Sequence, residues 1–130
     1  MFLVPTYLAL SSINGIGVFA AADIPAGTVV WEYTPGLDVA IPFDQAALVP
    51  EPTFGFLKRY AYVPKSIPGI YILCADNGRF INHSVTPNIV DEGGEVDRAV
   101  RLIHKDEEIT CDYFKDFAPD VVFGLKSSDL

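Results

Sequence analysis

The sequence is short of cysteine, histidine and basic residues, and each shortage narrows what the chain can be. Cys74 and Cys111 are its two cysteines, too few for a disulfide framework. With only His83 and His104 beside them, they match no zinc-ligand spacing, so no metal is expected and the expected compartment is intracellular and reducing. No apolar run approaches the roughly 18 residues of a membrane span. No basic residue precedes the apolar stretch in residues 1–10, so neither membrane association nor secretion is predicted. The first Lys or Arg is Lys58, and the net charge is −8. That balance argues against nucleic acid and for a basic partner, an acidic solvated surface being the alternative.

What is present suits one compact domain over residues 1–130, because 50% of the chain is apolar and 12% aromatic, a composition that does not stay disordered. Apolar content this high in a soluble chain also suggests a homodimer, with a second copy covering part of the surface. Short runs rich in Val, Ile and aromatics predict strands at 17–20, 28–33, 70–74, 96–103 and 109–113. Each is bounded by turn residues such as Pro68-Gly69 or Gly93-Gly94. Residues 43–49 read as a short helix with Asp44 near its start, and 53–62 as helix or strand. No strand is followed by a long amphipathic helix, so the expected architecture is mostly β, with small sheets. Gly15-Ile16-Gly17 is therefore not a dinucleotide fingerprint, since the third glycine and the following helix are missing.

Three segments carry more polar chemistry than packing requires. The first is Asn14-Gly15-Ile16-Gly17-Val18-Phe19-Ala20, leading through Asp23-Ile24-Pro25-Ala26-Gly27 to Trp31-Glu32-Tyr33. Two glycines bracketing one residue let backbone groups approach a ligand closely, or simply form a turn. The second is Arg79-Phe80-Ile81-Asn82-His83-Ser84-Val85-Thr86-Pro87-Asn88. Its amides offer donor and acceptor together, as recognition of an amino acid or adenine requires; for Asn88 an Asx-turn is the equal alternative. The third, Asp106-Glu107-Glu108-Ile109-Thr110-Cys111-Asp112-Tyr113, delivers a tyrosine that alone reads as a core residue with a satisfied hydroxyl.

Together and in this order, the three segments resemble the SET-domain family, whose pattern is a Gly-x-Gly loop with a D-I-P-x-G turn and an E-Y strand, then R-F-x-N-H-S-C-x-P-N, then G-E-E-L-x-x-D-Y. The resemblance runs from about Ser11 to Tyr113. Three departures stand out: Val85 replaces the usual Cys, Asp106 the usual Gly, and Thr34-Pro35 lengthen the link from Tyr33 to Gly36 by one residue. Cys-rich zinc segments are absent, as in compact, zinc-free members.

The resemblance implies a fold of small curved β-sheets with few short helices and a C-terminal pseudoknot. It divides the chain into an N-terminal part (11–36), a variable insert that reads the substrate (37–70), a C-terminal part (71–113) and a flank (114–130). It implies an S-adenosylmethionine-dependent protein-lysine methyltransferase acting on a basic protein such as a histone tail. The alternative is a SET fold that binds cofactor or peptide without turnover. Gly15, Ile16, Gly17, Arg79, Asn82, His83 and Tyr113 would hold the cofactor, with bracing of its own loop as the alternative role for Arg79. Tyr113 would be the catalytic residue. Tyr33, Tyr71, Cys111, Phe114 and Phe117 would line the lysine channel, with Tyr60, Tyr62 and Phe123 as further aromatics. Placed on one strand, Cys111 and Tyr113 would face the same side, and the small thiol would leave room for a second or third methyl group.

Overall fold

A computed structural model describes residues 1–118; Phe123 lies outside them. The first hairpin pairs β1 (Thr6–Leu10) with β2 (Ile16–Ala20). Its turn is closed by Ser11, whose Oγ accepts the N–H groups of Ile13 and Asn14. Gly15 at φ +48° supplies the left-handed step there. The central sheet has the order β3-β8-β7, all antiparallel, from β3 (Val29–Glu32), β7 (Ile89–Glu92) and β8 (Val96–Ala99). A third sheet pairs β4 (Val39–Pro42) with β5 (Ile70–Leu73).

Between β4 and β5 lie α1 (Phe43–Ala46) and α2 (Thr53–Tyr60). The undecided segment 53–62 is thus a helix, with Lys58 and Arg59 in its last turn, where cations suit the carbonyl end. These elements carry a small core of their own, built on Ala46, Leu57, Ala61, Val63 and Tyr71. The larger core gathers Val18, Val30, Trp31, Ile24, Ile89, Ile103 and Ile109 between the first hairpin and the central sheet.

The predicted strand 96–103 ends at Ala99, because the chain bends away there and rejoins the fold only where Ile103 bridges Ile24. The predicted strand 109–113 is also shorter. Only Thr110–Cys111 (β9) is extended; it pairs in parallel with Asn82–His83 (β6). Tyr113 instead opens a helical turn, α3 (Tyr113–Asp116), because the Asp112 side chain accepts the N–H groups of Phe114 and Lys115 and caps it. Cys111 and Tyr113 therefore do not share a strand face, and that inference fails. A parallel pair needs a long crossover, and here β7, β8 and the following loop supply it. The close pass of β9 beside β6 is the crossing implied for the pseudoknot. Among the described residues, no helix is long and apolar enough to cross a membrane.

Candidate active site

The site is assembled where β9 passes β6. Asn88, 1% exposed, is the clamp: its Oδ1 accepts Thr110 N–H at 2.9 Å, and its Nδ2 donates to the Glu108 carbonyl at 2.7 Å and to Glu107 at 3.2 Å. Backbone bonds from Ser84 to Cys111 and from Asn88 to Thr110 complete the seam. The Asn88 side chain thus makes no local turn; it ties two remote segments together.

Asn82, also buried, joins this seam to the first hairpin. Its Nδ2 donates to the carbonyls of Asn14 (3.0 Å) and Ile16 (3.2 Å). Both amide hydrogens are spent on the glycine loop, so what Asn82 retains for a ligand is the acceptor Oδ1. Beside the loop sits Glu108, whose two carboxylate oxygens are buried without a hydrogen-bond partner. A Cβ added at Gly17 would run into the Glu108 carboxylate, so any larger residue there would have to push the acid aside. Loop carbonyls, the Asn82 oxygen and an unpaired carboxylate make a wall of acceptors only. Such a wall fits a cation-bearing group, as the sulfonium and ammonium of S-adenosylmethionine require.

Tyr113 stands at the far end of this wall, 7% exposed. Its hydroxyl donates to the Ile81 carbonyl and its N–H to His83 Nδ1. Burial pushes its phenol far above the ordinary range, with the Cys111 thiol adding to the effect. The His83 ring packs on Tyr113 and on Phe114, with centroids 5.3 and 5.1 Å away. An Nδ1 that accepts an N–H has no proton there for Asp112 Oδ1, 3.8 Å away, so the two make a contact and not an ion pair.

Behind Tyr113 lies a cavity with about 20 Å³ of water-accessible volume, lined by Trp31, Tyr62, Cys74, Gly78, Ile81, Asp97, Cys111 and Phe117. Phe117 packs on both Tyr62 (4.7 Å) and Tyr113 (5.5 Å). Asp97 enters this wall from β8. Its carboxyl is raised well above the carboxylate range, first by burial and then by Asp91 and Asp116. Sequence reading missed it, because an Asp between Val96 and Arg98 looks like a solvated strand residue. The strand register, visible only in the fold, sets it opposite Trp31 and Asp91.

Of the predicted site residues, Gly15, Ile16, Gly17, Asn82, His83, Tyr113 and Phe114 lie along one continuous seam. Cys111 and Phe117 border the cavity. Arg79 donates Nε and a terminal nitrogen to the Cys74 carbonyl, bonds that brace its loop. Tyr71 belongs to the smaller core against Phe43, and Tyr33 packs half-buried on the larger one; neither borders the cavity. Tyr60 packs on Phe56 and Phe80.

The departures from the family pattern are absorbed locally. Asp106 takes a left-handed φ of 69°, as a glycine would, and is the non-glycine residue with positive φ among those described. Val85 is 80% exposed and packs on nothing that a Cys would need to fill. The longer link after Tyr33 is closed by buried Asp38, which accepts the N–H groups of Thr34 and Ala75 and pairs with the Met1 amino group.

Comparison with known proteins agrees with this geometry. The family model of the SET domain matches residues 15–114. Histone-lysine N-methyltransferase trr of Drosophila melanogaster is 32% identical over 82% of this chain. Human histone-lysine N-methyltransferase 2D is 34% identical over 88% of it. The matched regions are only 5% and 2% of those much longer proteins. Among solved structures, the Chaetomium thermophilum Polycomb Repressive Complex 2 bound to S-adenosylmethionine superposes with a TM-score of 0.65 at 25% identity, over 88% of this chain and 16% of that one.

Proposed function

The chain belongs to the SET-domain family, and from that premise we propose that it moves a methyl group from S-adenosylmethionine to a lysine side chain of a basic protein, a histone tail being the class that its acidic charge and its relatives favour. The observation that carries this reading is the seam itself. One continuous line runs from the Gly15–Gly17 loop through Asn82 and His83 to Tyr113, with acceptor groups at one end and an aromatic cavity at the other. When bound, the cofactor supplies an electrophilic methyl group on a positive sulfur.

The chain's own residues do the rest. Asn14, Ile16 and Asn82 offer oxygens to a positive amino-acid head. Tyr113, fixed through Ile81 and His83, orients the amine that enters from the cavity side, and Phe117 and Tyr62 keep that side dry. Alignment of two reactants in a desolvated channel is worth roughly 7–11 kcal/mol in favourable cases. Dry aromatic surroundings also lower the pKa of the entering lysine toward the neutral, nucleophilic form. In this reading 11–36 and 71–113 build the two halves of the site and 37–70 reads the substrate.

Tyr113→Phe tests the assignment. It keeps the ring and removes the oxygen, so calorimetric S-adenosylmethionine binding should persist while transfer to histones falls by at least about tenfold. Unchanged turnover would take Tyr113 out of the reaction. Cofactor binding by the wild type without transfer to any basic protein would instead make the chain a binding module.

A further inference from the structure

The geometry points to Asp97 as the group that receives the ammonium of the substrate lysine and takes its proton, an assignment that rests on the lysine-methylating reading above. Asp97 lies on β8, the middle strand of its sheet, directly opposite Trp31 on β3 and Asp91 on β7. Like charges facing each other across an antiparallel pair destabilise it, and Asp116 brings a third carboxyl from α3. Asp91 is eased by the Gly94 N–H at 3.0 Å, and Asp116 by the Asp91 backbone. No ion pair or hydrogen bond reaches the Asp97 carboxylate among the described residues. Asp97 is one of the residues that line the cavity, whose other walls are aromatic rings, two thiols and aliphatic groups.

An unpaired carboxylate in such walls costs free energy unless a cation or a proton meets it. Among the described residues, no three His, Cys, Asp or Glu side chains are placed to share a metal ion. About 20 Å³ of accessible volume holds one water-sized group, and an ammonium head is of that size. Trp31, Tyr62 and Phe117 in the lining are aromatic residues of the kind that attract a cation. The cavity also adjoins the transfer position, since its lining includes Ile81, whose carbonyl takes the Tyr113 hydroxyl, and Phe117, which packs on the Tyr113 ring.

In the step itself, an Nζ–H bond of the lysine breaks with its electron pair remaining on nitrogen. An O–H bond forms on Asp97, and the proton later leaves to water. The groups facing Asp97 favour that acceptance. Asp91 and Asp116 raise its proton affinity and the Met1 amino group opposes them, while Tyr62, Cys74 and Cys111 stay neutral because burial pushes all three up. Lys115 and Lys65 act on Asp116.

The test uses the full chain with n-butylammonium as a probe of the lysine side chain, and compares Asp97→Asn, which is nearly isosteric, with the wild type. Saturable n-butylammonium binding, followed by NMR, should weaken by at least about tenfold in the variant, while its circular dichroism and S-adenosylmethionine affinity stay those of the wild type. Equal binding in the two proteins overturns the proposal whatever a transfer assay shows. In steady-state kinetics, Asp91→Asn removes a like charge beside Asp97, so the acid limb of kcat/KM should move to lower pH. An unmoved limb also overturns the proposal, and this arm serves if Asp97→Asn fails to fold. Absence of transfer by the wild type, with n-butylammonium still dependent on Asp97, would refute the methyltransferase reading and not the Asp97 site.

Discussion

On the side of Tyr113 that faces Asn82 and Asn88, the polar groups are matched except for the Glu108 carboxylate: two buried amides satisfy three carbonyls, a backbone N–H and the Glu107 carboxylate on segments far apart in sequence. On the side that faces the cavity, Asp91 and Asp97 oppose each other, and none of the ion pairs among the described residues reaches either. The paired side gains net stability from each bond it makes, whereas the unpaired side carries a standing electrostatic cost. The fold carries such a cost at two places among the described residues, Glu108 beside the glycine loop and Asp97 at the cavity, and at each a ligand can supply the missing charge.

The comparison breaks most sharply at Asn88. Asn88→Ala leaves the Thr110 N–H and the Glu108 carbonyl without partners in the seam, and should lower unfolding free energy by about 2–4 kcal/mol in urea titration. A loss below roughly 1 kcal/mol would show that the backbone bonds alone hold β9 in place. Gly17→Ala probes the join between the two sides, since its new Cβ meets the Glu108 carboxylate. It should cost about 1–3 kcal/mol, and pairing it with Glu108→Ala should recover most of the loss; simple additivity would exclude the clash as the cause.

Asp91→Asn sharpens the other side. Its carboxyl is raised to about 6, by burial first, so the folded state holds more protons than the unfolded state between the ordinary carboxylate pKa and that value. Stability should therefore fall as pH rises through this window. The variant should lack that part of the fall, and should be more stable than wild type by roughly 1 kcal/mol at pH 7 but not at pH 4, in melts across that range. A difference constant with pH would mean that Asp91 does not titrate there. The smallest effect belongs to Arg101, half exposed, which holds the Glu107 carboxyl down at about 2. Arg101→Ala should cost less than about 1 kcal/mol, and that cost should shrink with added salt.

Residues 14–17, 79–88 and 106–113 could be read for their chemistry because each packs its polar groups into a contiguous run. Helix α2 remained open because its apolar residues fit either period, and only its packing onto Val63 and Tyr71 makes it helical. β1, β4 and β7 went unread because each is short and mixed in composition, and pairing with β2, β5 and β8, not propensity, makes it a strand. Of the aromatics expected at the channel, Phe117 packs on Tyr113, Phe114 on His83 and Tyr33 on the same larger core, while Tyr71 belongs to the smaller one.

The sequence by itself determined the family, the mostly β character and the seam residues Asn82, His83 and Tyr113, since local order and residue type are sufficient to define them. Only the tertiary structure decided that Asp112 caps a helical turn at Tyr113, that Asn82 spends its hydrogens on the glycine loop, and that Asp97 faces an aromatic cavity. The Asp112 cap is local and competes with the strand that the preceding residues begin, whereas for Asn82 and Asp97 the reason is distance along the chain. Whether a polar group is satisfied or stranded depends on partners dozens of residues away, such as Asn82 beside Thr110 and Asp97 beside Trp31, and these are brought into contact only when the strands pair.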